Sequence, residues 1–186
     1  AMAGGGKRWE RGFSFSVAGL LFPYHLGVAD ELRQNGLLED GTPLAGASGG
    51  AIAAVIVALK LDSSMVINVT QKALSACRAK GSARFKLSAL LREELEEILP
   101  EDAADRLNAW QGGVSVGVTL FKPLPRGQLI SQFDSKKDVI NAILASCHIP
   151  LWVSRAPTAR FRRSTAISGI FSRLGAPLRR LRRPRA

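Results

Sequence analysis

The chain has 186 residues, 46% of them apolar, which is enough for one domain with a real core and too few to expect two. Its formal charge of +11 is unevenly placed: the last 36 residues carry 10 Arg and no acid, while the first 150 carry 16 Lys+Arg against 15 Asp+Glu. The globular part is therefore nearly neutral and lacks the basic stripe with interleaved aromatics that grips phosphate backbones, so the composition argues against a nucleic-acid partner.

Residues 1–12 read as a flexible, glycine-rich segment without the apolar run of a secretory signal. Phe13 to Val17 alternates aromatic and small residues, as a first strand does. Ala18 to Pro23 reads as a loop around Gly19. Tyr24 to Gln34 reads as a helix, with Leu26, Ala29 and Leu32 at helical spacing and Asn35-Gly36 as the stop. Asp40-Gly41 marks a turn into a short buried strand at Pro43-Leu44-Ala45.

Next comes Gly46-Ala47-Ser48-Gly49-Gly50, a G-x-S-x-G pentapeptide between that strand and the apolar helix from Ala51 to Leu59. In this context small residues let the backbone turn sharply and hold a serine oxygen exposed above a helix N-terminus. Amides aligned there stabilise developing negative charge.

Further helices are expected from about Met65 to Lys80, with cap candidates in Asp62-Ser63-Ser64, and from Ala89 to Leu99, capped by Ser88. Glu93, Glu94, Glu96 and Glu97 in the second of these read as a solvated face rather than a metal site, since no His stands nearby. Gly113 to Leu120 reads as a strand and Gln128 to Phe133 as another. Ser135 to Asp138 reads as a capping box for a helix that ends near Ser146. No metal site is expected. Residues 13–29 and 44–61 are apolar but broken by Gly19, Pro23 and the Gly-rich turn, so neither reads as a membrane span. Cys77 and Cys147 make no disulfide or ligand framework and read as buried thiols in a reducing setting. From residue 152 onward an arginine-rich tail is expected to be disordered. Ile167, Ile170, Phe171 and Leu174 in it offer one short amphipathic turn for an anionic surface.

Taken together, FSFSVAGLLFPYHLGVADEL, TPLAGASGGAIAAVIVAL and INAILASCHIP resemble a patatin-like phospholipase domain over residues 13–151. The resemblance implies an α/β fold of three layers, α/β/α, around a mostly parallel central sheet, incomplete at the C-terminal end. It implies hydrolysis of acyl esters in phospholipids or acylglycerols, without a cofactor, in the cytoplasm and with peripheral contact at a membrane or lipid droplet. Ser48 matches the family's nucleophile. Gly19, with Leu20 and Leu21, matches its oxyanion loop, although the usual run of glycines is reduced to Gly19; Gly46, Gly49 and Gly50 match the elbow.

The family's base is an aspartate in an Asp-Gly pair that follows the segment matching ILASCHIP. Here no Asp or Glu follows Asp138, and the one Asp-Gly pair, Asp40-Gly41, precedes the serine. His25 and His148 read as structural rather than as substitute bases. Two function classes therefore stand: a serine lipid acyl hydrolase short of its aspartate, and a non-catalytic lipid- or membrane-binding protein that keeps the fold.

Overall fold

In the computed structural model, residues 11–79, 85–120, 124–150 and 153 are described. Most of the expected flexible N-terminal segment and of the basic tail lies outside them, as does the Cys77 side chain. Val153 is buried and donates its N–H to the Ile149 carbonyl.

Strand β1 (Phe13–Phe15) leads through a 3-10 turn (Gly19–Leu21) into helix α1 (Phe22–Gln34). Pro23 sits in the first helical turn, where its missing N–H costs nothing, so the helix begins two residues before the expected start at Tyr24. Strand β2 (Leu44–Ala47) and helix α2 (Gly49–Leu59) follow, with Ser48 between them. Helices α3 (Ser63–Ala79), α4 (Leu87–Ile98) and α5 (Ala103–Asn108) come next, then strands β3 (Val114–Leu120) and β4 (Arg126–Ile130) and helix α6 (Lys136–Ser146).

The four strands form one sheet in the order β1-β2-β3-β4. β1 pairs with β2 in parallel, Phe13 against Leu44 and Phe15 against Gly46, and β2 pairs with β3 in parallel, Leu44 against Val114 and Ala47 against Gly117. β4 returns antiparallel to β3 as a hairpin partner. This is the mixed α/β architecture, with a mostly parallel sheet, that the strand–helix alternation predicts.

Helix α2 is the hub. All of its residues are buried, as a helix that is apolar all round must be. Its last carbonyls are met by guanidinium groups: Arg33 donates to Val57 at 3.1 Å, and Arg106 donates to Leu59. Cations at that end satisfy orphan carbonyls and complement the helix dipole, whose positive end lies at Ser48. The chain leaves α2 through Lys60, a left-handed residue at φ 55°, whose N–H and that of Leu61 bond back to Val57 and Ile56.

Three local expectations are corrected. Helix α4 begins at Leu87, with Lys86 at the N-cap position making no side-chain capping bond, so Ser88 lies inside the helix rather than capping it. At α6, Ser135 is the N-cap and accepts the Asp138 N–H at 3.2 Å, but the Asp138 carboxylate accepts from Asp134 N–H rather than from Ser135, so the box closes one residue early. Glu94 is half-buried rather than solvated, because it lies three and four residues from the half-buried Leu91 and Ile98 on the packed side of α4. Among the described residues no helix is long and apolar enough to cross a membrane.

Candidate active site

Ser48 stands immediately beyond the carboxyl end of β2, where parallel α/β sheets place their ligands. Its backbone is at φ 54°, ψ −125°, a sparsely populated region for a residue with a side chain. The neighbouring glycines show why the turn can be this tight. A Cβ on Gly46 would lie 2.1 Å from the Gly50 carbonyl oxygen, one on Gly50 would lie 2.2 Å from that of Phe15, and one on Gly49 would lie 2.7 Å from that of Gly19. No side chain fits at any of the three.

The third of those contacts brings the elbow against the loop after β1. Gly19 is at φ 53°, and its carbonyl accepts the Phe22 N–H as the 3-10 turn closes. Leu21 spends its N–H on the Ala18 carbonyl at 3.0 Å, which removes it from the expected oxyanion donors. Gly49 and Gly50 open α2, so their N–H groups have no intrahelical acceptor. Gly19, Leu20 and Gly49 thus share one small region beside Ser48.

Two residues from the end of α6 complete the surroundings. The Ser48 N–H donates to Ser146 Oγ at 2.7 Å, and the Ser146 hydroxyl donates to the Gly117 carbonyl at 2.6 Å. The Cys147 thiol lies beside the Ser48 hydroxyl. Burial pushes this thiol up to about 11, and the Ser48 hydroxyl draws it back only in part, so it is protonated at neutral pH. It is no base there. Neither Ser146 nor Cys147 stands out in the sequence as a partner of Ser48; only their place in the segment ending INAILASCHIP hints at it.

The other candidates for a base fall elsewhere. Asp40 lies before the amino end of β2, across the strand from Ser48, and is exposed in an ion pair with Lys60 at 2.5 Å and another with Arg33 at 3.3 Å. The Lys60 hydrogen bond above all holds its carboxyl below the usual range. His25 Nε2 bonds the Ser16 carbonyl at 3.0 Å, and its ring packs against Phe15 and Tyr24. Both histidines were expected to be structural. For His25 these contacts account for the residue; His148 Nε2 is buried without a hydrogen-bond partner among the described residues. Among the described residues no carboxylate or imidazole bonds to Ser48. No group of three or more acidic, His or Cys side chains there suits a metal.

A groove of about 260 Å³ opens at the far end of α2, lined by Arg33, Ile56, Lys60 and Ser64 among others. It is a full helix length, roughly 16 Å, from Ser48, and is a poor candidate for the same site.

A family model described as "Patatin-like phospholipase" matches residues 13–166. The chain belongs to the patatin-like phospholipase family. It is 27% identical over 169 residues to the mouse protein named "1-acylglycerol-3-phosphate O-acyltransferase Pnpla3", covering 88% of this chain and 39% of that one. It is 31% identical over 146 residues to human "Patatin-like phospholipase domain-containing protein 4", covering 75% and 56%. With mouse "Omega-hydroxyceramide transacylase" it shares 27% over 169 residues, 86% of this chain and 27% of that one. The chain spans between about a quarter and a little over half the length of these relatives. No solved structure matches it at a significant level.

Proposed function

We propose that this chain is a serine lipid acyl hydrolase in which Ser48 is the nucleophile. The observation that carries the reading is the elbow: a serine at positive φ, between glycines that admit no side chain, at the N-terminus of a buried helix. In the proposed step Ser48 Oγ bonds to an ester carbonyl carbon. The carbonyl oxygen becomes an oxyanion facing the Gly49 N–H and the backbone at Gly19 and Leu20. Collapse expels the alcohol, which leaves with the proton that Ser48 gave up, and leaves Ser48 acylated until water cleaves that ester. The acyltransferase and transacylase names of the relatives fit the same acyl-serine, with an alcohol in place of water.

Among the described residues no carboxylate or imidazole bonds to Ser48 to take its proton, and the sequence holds no acid after Asp138. A serine lacking its base is a poor nucleophile at neutral pH, since its hydroxyl must lose a proton as it attacks. We therefore expect the 186-residue chain to hydrolyse a short-chain acyl ester slowly, with Ser48→Ala abolishing the residual rate. Equal rates in the two proteins would remove the hydrolase reading. Turnover as fast as that of an aspartate-containing relative, lost in Ser48→Ala, would instead show that a base is present.

The lipid substrate class rests on the family and on the rim of the site. Val17, Leu20, Leu21 and Tyr24 on one side and Ile149 on the other are exposed apolar residues, and the segment from Gly12 to Ala29 carries no formal charge. Such a rim suits acyl chains at a membrane or droplet surface and supports peripheral contact there. It equally favours the second reading, a non-catalytic lipid-binding protein. Vesicle binding that is unaffected by Ser48→Ala, with no ester turnover in either protein, is the outcome that would select it.

A further inference from the structure

The last register pair between β2 and β3 is Ala47 against Gly117. The next backbone donor along β2 is the Ser48 N–H, and the Gly117 carbonyl is the acceptor a continued parallel ladder would offer it. The two do not meet directly. The Ser146 hydroxyl stands between them, accepting from Ser48 N–H at 2.7 Å and donating to Gly117 at 2.6 Å. A hydroxyl suits this position, since it accepts and donates at once. It releases β2 from β3 one step early without leaving either backbone group unpaired, and it does so at the residue that must adopt φ 54°.

We propose that Ser146 is a positioning residue for Ser48: its hydroxyl fixes the strained elbow and commits the Ser48 N–H, leaving the Gly49 N–H to face an oxyanion. The bond joins residues 98 apart in sequence, so the end of α6 registers the elbow against the sheet. Strained backbone persists only where its surroundings over-determine it, and this bridge ties the elbow to a segment distant in sequence. Cys147, the next residue, lies beside the Ser48 hydroxyl, so consecutive residues of one segment hold the backbone and flank the side chain of the same serine. Misplacing a reacting group by about 1 Å costs on the order of 100-fold in rate. The inference rests on the reading of Ser48 as nucleophile.

The test uses two readouts on the 186-residue chain. In the first, a fluorophosphonate forms a bond from phosphorus to Ser48 Oγ with loss of fluoride and of the hydroxyl proton to solvent, and its saturation kinetics separate binding from reaction. Ser146→Ala is expected to lower the maximal labelling rate by about 10- to 100-fold with little change in half-saturation, and Ser146→Thr, which keeps the hydroxyl, to restore most of it. In the second, the Ser48 amide is expected to exchange slowly with solvent in the wild type and much faster in Ser146→Ala. If Ser146→Ala does not melt cooperatively, Ser146→Cys replaces it, keeping the side-chain size with a weak donor and acceptor. Wild-type labelling with an unchanged rate in the variant overturns the proposal. If the wild type is not labelled, the nucleophile reading fails on its own account. The amide then decides the bridge: protection lost in Ser146→Ala supports it, and equal exchange in both proteins overturns it.

Discussion

The carbonyl of Gly50 lies where the Cβ of any other residue at Gly46 would have to be: the gap to an ideal Cβ is 2.1 Å. The outer glycines of the elbow are thus a steric pair, each needed so that the start of α2 can fold back over the end of β2. Gly50 faces the same limit against Phe15, with its Cβ position 2.2 Å from a backbone oxygen that cannot swing away. Gly46→Ala or Gly50→Ala should therefore destabilise the protein by about 3 kcal/mol or more. Gly117→Ala is the control. Its nearest backbone contact, 3.4 Å, is ordinary packing, and it should cost much less. Denaturant midpoints of the three variants check this.

Strain at Ser48 gives a second outcome. Ser48→Ala and Ser48→Gly remove the same hydroxyl, but only glycine is at ease at φ 54°, ψ −125°. Ser48→Gly should be more stable than Ser48→Ala by about 1 kcal/mol, the strain that function imposes. Equal melting of the two would mean that the elbow is not strained.

Glu94 gives the stability a pH signature. Burial, with the Glu97 charge beside it, raises its carboxyl to about 7. The folded protein therefore holds this proton between about pH 4.5 and 7 while the unfolded chain releases it, and stability from this group falls as pH rises through that window. Glu94→Gln should be more stable than the wild type at pH 8, by ~1 kcal/mol once residual solvent screening is counted, and nearly equal to it at pH 4. Urea titrations at the two pH values measure the difference.

Asp40 has the opposite sign. Its carboxyl is lowered, chiefly by the Lys60 hydrogen bond, so its contribution is present above its unfolded value of 3.8 and is lost as pH falls through the lowered folded value. The pair is largely exposed and worth at most ~1 kcal/mol. Asp40→Asn should lower stability at pH 7 by no more than that and leave Ser48 labelling unchanged, since this Asp-Gly pair sits at the wrong end of β2. A variant that loses labelling while keeping its fold would revive Asp40 as the base.

Much of this was legible in the sequence because it is local. The glycines around Ser48, the apolar run of α2 and the alternation in β3 each carry their structure in a few residues, and the motifs along the chain pointed to the family. What escaped depends on contacts between distant segments. Helix α5 is short and polar along much of its length, and is held by Asn108, which exchanges hydrogen bonds with the Phe133 backbone. The half-burial of Glu94 depends on what packs against α4. The bridge from Ser146 to Ser48 has no signal beyond the place of Ser146 in the INAILASCHIP segment, since a serine at a helix end is ordinary. Leu21 failed as an oxyanion donor because the 3-10 turn, not visible as a periodicity, claims its N–H.

The central claim is that Ser48 is a nucleophile set up by its elbow. Its most direct measurement is the mapping, by peptide mass spectrometry, of the site labelled by a fluorophosphonate on the folded 186-residue chain. The account predicts a single modified residue, Ser48, with labelling abolished in a Ser48→Ala variant that still melts cooperatively. Label on another residue, or none on a folded wild-type chain, would contradict it.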